Sequence, residues 1–154
     1  MATQNRLNQS RDKLLLSDDE NLLEMQKIHT WLSVESYWAR GRDLEVLERA
    51  FAFSYPFGVY EDGNQIAVAR IVSDTATFAW LCDLFVDSSY RGRGIGTWLT
   101  QAAIEWADAN GVTRIILATK DAHEVYSRLG FQPLKEPSRW MIIDNRPQAR
   151  DLEL

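Results

Sequence analysis

The sequence predicts an α+β fold: one domain built on a central mixed, mostly antiparallel β-sheet flanked by about four helices. Three observations carry that prediction. Residues 57–86 hold three successive β-rich runs, the first two joined by Glu61-Asp62-Gly63-Asn64, where Asp-Gly supplies the positive-φ positions of a tight turn. Residues 94–118 read as a buried helix followed by a strand with Ile115, Ile116 and Leu117 consecutive, the pattern of a β-α-β crossover onto a parallel neighbour. Two amphipathic helical stripes precede the first of these blocks and a short helix follows the second.

Taken in order, residues 1–12 are polar and aperiodic and predict a flexible N-terminal tail. The domain is expected over residues 13–144. Leu14-Leu15-Leu16 predicts a first strand, and Leu22, Leu23, Met25, Ile28 and Leu32 predict a helix with Trp31 near its end. Residues 33–41, with Tyr37, Trp38 and Arg40, have no clean period and predict an exposed aromatic connection. Asp43 is placed as the N-cap of a second helix that turns Leu44, Leu47, Ala50 and Phe51 inward. After the three-stranded meander, Ile95, Trp98, Leu99, Ala102, Ala103 and Trp106 mark the central helix, which Gly111 closes. Asp121 and Glu124 read as a capping-box variant opening a short helix that ends at Gly130. Residues 131–134 and 140–143 predict a final hairpin, and residues 145–154 a loose C-terminal tail.

Composition narrows the function. Seventeen basic against 22 acidic residues give a net charge of −5, with no Lys/Arg cluster on any predicted helix, so no electrostatic footprint for nucleic acid is present. A weakly acidic surface suits a cationic amine. One cysteine, Cys82, excludes an internal disulfide, and one Cys with two His is too few for a Cys/His zinc site, so no metal is expected. Neither a signal-peptide core nor a membrane-spanning apolar run is visible, which predicts a cytoplasmic protein with no membrane partner.

The stretch that carries chemistry is residues 84–98, LFVDSSYRGRGIGTW, a strand end, a glycine-rich loop and the first turn of a helix. Gly92, Gly94 and Gly96 remove three β-carbons, so successive backbone N–H groups can share one concavity at a helix N-terminus, where the dipole favours negative charge. Arg91 and Arg93 add side-chain charge. A dinucleotide fingerprint would need glycine where Thr97 stands, and the Gly-Lys-Ser/Thr run of a P-loop does not occur. Standing alone, such a loop could also be a tight solvated turn. Arg91-x-x-Gly94-x-Gly96 resembles the Arg/Gln-x-x-Gly-x-Gly/Ala pyrophosphate loop of the GNAT superfamily, the acyl-CoA-dependent N-acyltransferases. The order of elements over residues 13–143 is similar to the GNAT fold as well.

That resemblance implies acetyl-CoA as co-substrate, with Arg91, Gly92, Arg93, Gly94, Ile95, Gly96 and Thr97 around its diphosphate. Leu84, Phe85 and Val86 would offer main-chain groups to pantetheine, one N–H stabilising the oxygen that becomes negative. Tyr126, in a Tyr-x-x-x-Gly-Phe arrangement with Gly130-Phe131, looks like the family's general acid: a phenol titrates near 10 and a thiol near 8.5, so it stays protonated while thiolate forms. Many members carry Glu or His on the strand before the loop; here Cys82 and Trp80 hold those positions and depart from the pattern. Asp83 beside them is the candidate base or substrate anchor, facing the other side unless a bulge turns it, with a buried hydrogen-bonding role as the alternative. His123 and His29 are lesser candidates, and Cys82 is read as an inert strand residue. Trp31, Tyr37, Trp38, Phe78 and Trp80 could wall an amine pocket, the alternative being core packing. The function expected is direct transfer of acetyl to the primary amine of a small molecule by a homodimer. A protein or peptide N-acetyltransferase and a non-catalytic acyl-CoA sensor are the alternatives.

Overall fold

The computed structural model describes residues 7–147 of the chain. Six strands lie in one sheet in sequence order: β1 (Asn8–Arg11), β2 (Leu14–Ser17), β3 (Tyr55–Glu61), β4 (Asn64–Ser73), β5 (Ala79–Val86) and β6 (Ile115–Ile116). Every neighbouring pair is antiparallel except β5 and β6, which are parallel. The helices are α1 (Met25–Thr30), α2 (Leu44–Ala52), α3 (Ile95–Ala109) and α4 (His123–Arg128). This is the mixed, mostly antiparallel sheet with four helices that the element order predicts.

The sheet divides two cores. On one face Leu16, Phe57, Val59, Ile71 and Leu81 pack against Ile95, Trp98, Leu99, Ala102 and Trp106 of α3. On the other, Val68 and Phe85 meet Ile28, Trp31 and Leu32 from the first helix and Leu47 and Phe51 from α2. The stripe of apolar residues on each helix is what decides which face it covers. The α1 axis continues through a π turn, Trp31–Glu35, in which Ser36 N–H donates to Trp31 O at 2.9 Å. The β3–β4 turn uses Asp62 at φ 49° and Gly63 at φ 80°, the left-handed pair expected of Asp-Gly.

Three expectations are corrected. The N-terminal tail does not run to residue 12: from Asn8 the chain forms β1, an edge strand antiparallel to β2. Its polar sequence hides it, because it gains partners rather than a buried face. Leu7 is buried, its N–H donates to Asp18 Oδ2 at 2.8 Å, and Gln9 Oε1 accepts from Trp98 Nε1 at 2.8 Å. Deleting residues 1–12 should therefore lower unfolding free energy by roughly 2 kcal/mol or more, by the net worth of such hydrogen bonds and one buried leucine. Urea denaturation would return an unchanged midpoint if the segment were a tail after all. Second, residues 131–143 form no hairpin; Pro133 and Pro137 remove two ladder donors, and only a short 3-10 turn, Pro137–Arg139, is present. Third, Asp121 does not cap α4; Ala122 N–H donates to Thr119 Oγ1 at 3.1 Å. Asp43, by contrast, is the N-cap of α2 as expected, although its side chain makes no cap bond. Of the C-terminal tail, residues 148–154 lie outside the described residues.

Candidate active site

The site begins with an irregularity in β5. Arg70 lies opposite Cys82 and Val68 opposite Phe85, so Asp83 and Leu84 together face Ala69, and Asp83 takes φ 51°. This is a β-bulge with its extra residue in the left-handed region that Asp tolerates better than most. The bulge switches the faces of the strand: Leu81 belongs to the α3 core, whereas Phe85, of the same parity, belongs to the α1/α2 core. Simple alternation along β5 therefore fails at residue 83.

Asp83 is buried, with 4% of its surface exposed, and its carboxylate is fully engaged. Oδ2 accepts from Arg42 Nη1 at 2.7 Å and Arg70 Nε at 2.6 Å, and Oδ1 accepts from Trp38 Nε1 at 3.1 Å. Arg70 is itself buried, and its guanidinium lies 5.9 Å from the Phe51 ring centre. Placing one buried and one partly exposed cation on a buried carboxylate is tolerable only because each is hydrogen-bonded in place. The cluster ties β4, β5 and the connection before α2 into one rigid wall. Sequence reading singled out Asp83 and Trp38 but neither arginine.

Beyond the bulge the sheet opens. β5 and β6 pair only at Ala79 with Ile115 and Trp80 with Ile116, after which the strands part. One edge of residues 81–86 thus faces a gap that ends at the loop. There Asp87 caps the 3-10 turn Ser88–Tyr90, accepting from Ser89 N–H at 2.9 Å, and Gly92 and Gly94 take φ 78° and 76°. Gly94 is the N-cap of α3, and the first intrahelical donor is Trp98 N–H, to Gly94 O at 3.0 Å. The N–H groups of Ile95, Gly96 and Thr97 are consequently the open donors of the helix start. Arg91 Nε donates to Val86 O at 3.1 Å with its guanidinium 5.1 Å from the Phe85 ring centre, and Arg93 sits over Tyr90 at 5.0 Å. A β-carbon on Gly96 would stand 3.7 Å from Leu84 Cδ2, so strand and helix meet closely here. Gly94→Ala, which forces an L side chain into the left-handed region, should cost about 1–2 kcal/mol by thermal unfolding; a loss no larger than that of a surface substitution would contradict the loop geometry.

Tyr126 lies on α4, half-buried, with its ring 5.9 Å from that of Phe131 in an edge-to-face arrangement. Burial, then the neighbouring Tyr37 and Asp121, push its phenol above the ordinary tyrosine value. Tyr37 crosses to the same region: its hydroxyl accepts from Lys120 N–H at 3.1 Å, and its ring packs edge-on to Trp38 at 5.0 Å. Trp38 in turn leans on Phe85 at 6.4 Å. The structure therefore brings Tyr37, Trp38, Asp83 and Phe85 together beside the gap. The other three aromatics are placed differently: Trp31 is 3% exposed and stacks on Phe85 at 5.7 Å as core; Phe78 lines a cavity shared with Ile116 and Tyr126; and Trp80 is exposed at the last paired position before the strands part. His29 Nε2 is hydrogen-bonded to Arg42 O at 2.9 Å, and His123 is exposed on α4. Burial above all pushes the Cys82 thiol up to about 12, which removes it as a nucleophile at neutral pH. No group of three or more His, Cys, Asp or Glu among the described residues could hold a metal ion. Nor is any described helix long and apolar enough to cross a membrane.

The site thus consists of a sheet that opens beyond Trp80, a helix start with open amides, and Tyr126 near Tyr37, and comparison with known proteins gives its family. Residues 25–131 match the model of the acetyltransferase (GNAT) family, and the chain belongs to that family. A crystal structure of a GNAT-family protein from Xanthomonas campestris pv. campestris superposes with a TM-score of 0.81 at 41% identity, covering 85% of this chain and 92% of that one. Streptothricin acetyltransferase A of Bacillus subtilis is 37% identical over 102 residues, 64% of this chain and 58% of its own length. FG08082 of Gibberella zeae is 26% identical over 153 residues, 84% of this chain and 85% of its own. Acyltransferase activity is what these relatives support.

Proposed function

We propose that the chain is an N-acetyltransferase that moves the acetyl group of acetyl-CoA directly to the primary amine of a small molecule in a ternary complex. The observation that carries this reading is the junction of the β5–β6 gap with the open amides of Ile95, Gly96 and Thr97, a slot for an extended thiol arm ending in an anion cradle. Gly92 and Gly94 shape the cradle without side chains, and Arg91 and Arg93 stand beside it. Those residues fit a diphosphate; bound there, acetyl-CoA supplies an activated acyl carbon.

The remaining chemistry belongs to this chain. Main-chain groups of Leu84, Phe85 and Val86 align the arm, and an N–H among them meets the acyl oxygen as it gains charge. The amine nitrogen bonds to the acyl carbon as the carbon–sulfur bond breaks, and Tyr126 Oη donates its proton to the departing sulfur. The amine's surplus proton passes to solvent, and solvent returns one to the Tyr126 phenolate, which restores the acid. Asp83, held by Arg42, Arg70 and Trp38, acts as a positioning residue for Trp38 and the wall around it rather than as a base. The rise of kcat/KM with pH is then set by the amine's own ionisation, and a profile set by any other group would return Asp83 to the role of base.

A small acceptor is favoured because the approach is bridged: Tyr37 is tied to Lys120, and Arg146 Nη1 donates to Trp38 O at 3.3 Å. A peptide would need an open groove. The family resemblance also implies a homodimer. The test is a panel of amines and peptides with acetyl-CoA, read by mass spectrometry. Amine-dependent release of CoA supports an enzyme, and tight binding without turnover supports a sensor. Cys82→Ala should keep full turnover, and quenched wild-type protein should carry no acetyl group on Cys82; an acetylated thiol would replace direct transfer with a two-step route.

A further inference from the structure

The Asp83 cluster holds more positive charge than it neutralises. Two guanidinium groups, from Arg42 and Arg70, meet the single oxygen Oδ2 of Asp83 at 2.7 and 2.6 Å, and no second carboxylate lies within ion-pair distance of either among the described residues. On an open surface water would solvate the excess. Here the Arg70 side chain is 9% exposed, and a desolvated charge without a counter-charge is strongly disfavoured. The chain as a whole is acidic, with net charge −5, so the local excess runs against its composition.

The donors are incomplete as well. A guanidinium presents five N–H groups in a planar fork. Arg70 places only its Nε group, and Arg42 only an Nη1 group, on an acceptor among the described residues. The buried side-chain atoms that lack a hydrogen bond and are sealed from solvent are Tyr60 Oη and Trp106 Nε1 among the described residues. The terminal nitrogens of Arg70 are not of that kind, so they open onto accessible space. Arg42 covers the same spot from a fixed main chain: its N–H donates to Ala39 O at 3.1 Å, its carbonyl bonds His29 Nε2 at 2.9 Å, and its side chain is 22% exposed. Trp38 shares the carboxylate and packs on Tyr37, which lies near Tyr126. Along β5, Asp83 is at most three residues from Val86, about 10 Å at the rise of a strand.

We propose that the acceptor is an amino acid or a molecule of that kind, whose carboxylate docks on the open N–H groups of Arg42 and Arg70 while its amine reaches the acyl carbon. A carboxylate matches the fork of a guanidinium and supplies the missing negative charge. The short distance from the cluster to the pantetheine strand sets the amine only a few bonds from the carboxylate. Arg42 and Arg70 are then the residues that determine specificity, and Asp83 fixes their position. This rests on the acyltransferase reading for what the bound molecule undergoes, and not for its binding.

Glycine, β-alanine, L-methionine and L-lysine, each beside its own carboxamide, are the probes. In the transfer assay with acetyl-CoA, at equal concentrations of neutral amine, the best acid should exceed its amide in kcat/KM by about 10- to 100-fold, the worth of charge-assisted hydrogen bonds. Arg42→Gln should collapse that ratio towards one, and Arg42→Lys, which keeps the charge without the fork, should restore part of it. With CoA present, the same acid should raise the thermal midpoint of the wild type more than its amide does, because a ligand that binds only the folded state stabilises it. The comparisons within the wild type need no variant to fold. An amide used as well as its acid, a preference that survives Arg42→Gln, or acids that neither stabilise the fold nor react would each overturn the proposal, while other amines acetylated in the same assay would leave the transferase standing. Acids that stabilise the wild type and are never acetylated would keep the carboxylate site and remove the enzymatic reading.

Discussion

Replacing Asp83 with alanine is expected to lower the free energy of unfolding by about 3–5 kcal/mol, the usual cost of removing one member of a buried ion pair. The carboxylate is the shared acceptor for Arg42 Nη1 and Arg70 Nε, and with 2% of the Asp83 side chain exposed, water does not replace it. Arg70, with 9% of its side chain exposed, is then left as a buried cation without its partner. Asp83→Asn keeps the shape and the bond to Trp38 but removes the charge, so it should recover only a small part of the loss. Substituting Arg70 by methionine in the Asp83→Asn background should restore stability, since the uncompensated charge is gone. Urea denaturation of the four proteins measures this directly. A loss below about 1 kcal/mol in Asp83→Ala, the scale of an exposed ion pair, would mean that the cluster is hydrated and not the wall described.

Tyr126→Phe should lower kcat by about 10²- to 10⁴-fold, the range of a positioned general acid, while the dissociation constant for CoA stays where it was. The two readouts separate roles: a phenol that merely packs would leave kcat alone, and one that binds the arm would move affinity first. Because burial raises this phenol's pKa, the donor remains protonated through the neutral range, and the rate should fall only well above the ordinary tyrosine value of 10.0. Stability should follow the same sign. The folded state holds the proton more tightly than the unfolded one, so this stabilisation is complete below the unfolded pKa and lost as pH rises through the folded one.

Much of this architecture could be read from residues alone, and the failures have identifiable physics. The Asp-Gly turn and the glycines at 92 and 94 announce themselves because only a few residue types adopt positive φ readily. Asp83 adopts it too, and nothing in an apolar run distinguishes an aspartate that bulges from one that alternates, so its orientation could not be foreseen. A signal for Arg70 was present: an arginine inside a strand whose neighbours are nearly all buried needs a carboxylate, and the next strand holds one. Trp31 could likewise have been assigned to the core by its spacing from Ile28 on the same helical stripe. The hairpin expected at residues 131–143 failed for a different reason. Trp-Met-Ile-Ile has the composition of a strand, but Pro133 and Pro137 break the run that would have paired with it, and composition alone supplies no partner edge.

The bulge at residues 83 and 84 gives β5 an out-of-phase second half, and the glycine loop inherits that phase. Deleting a single residue there would return the strand to strict alternation and rotate everything after it by half a repeat. Phe85 would leave the aromatic group it shares with Trp31 and Trp38, and the head of α3 would be re-aimed away from the gap. A longer or shorter surface loop is forgiven by most folds; in this chain, one residue too few in the middle of a strand would be read out as a misdirected helix some ten positions later.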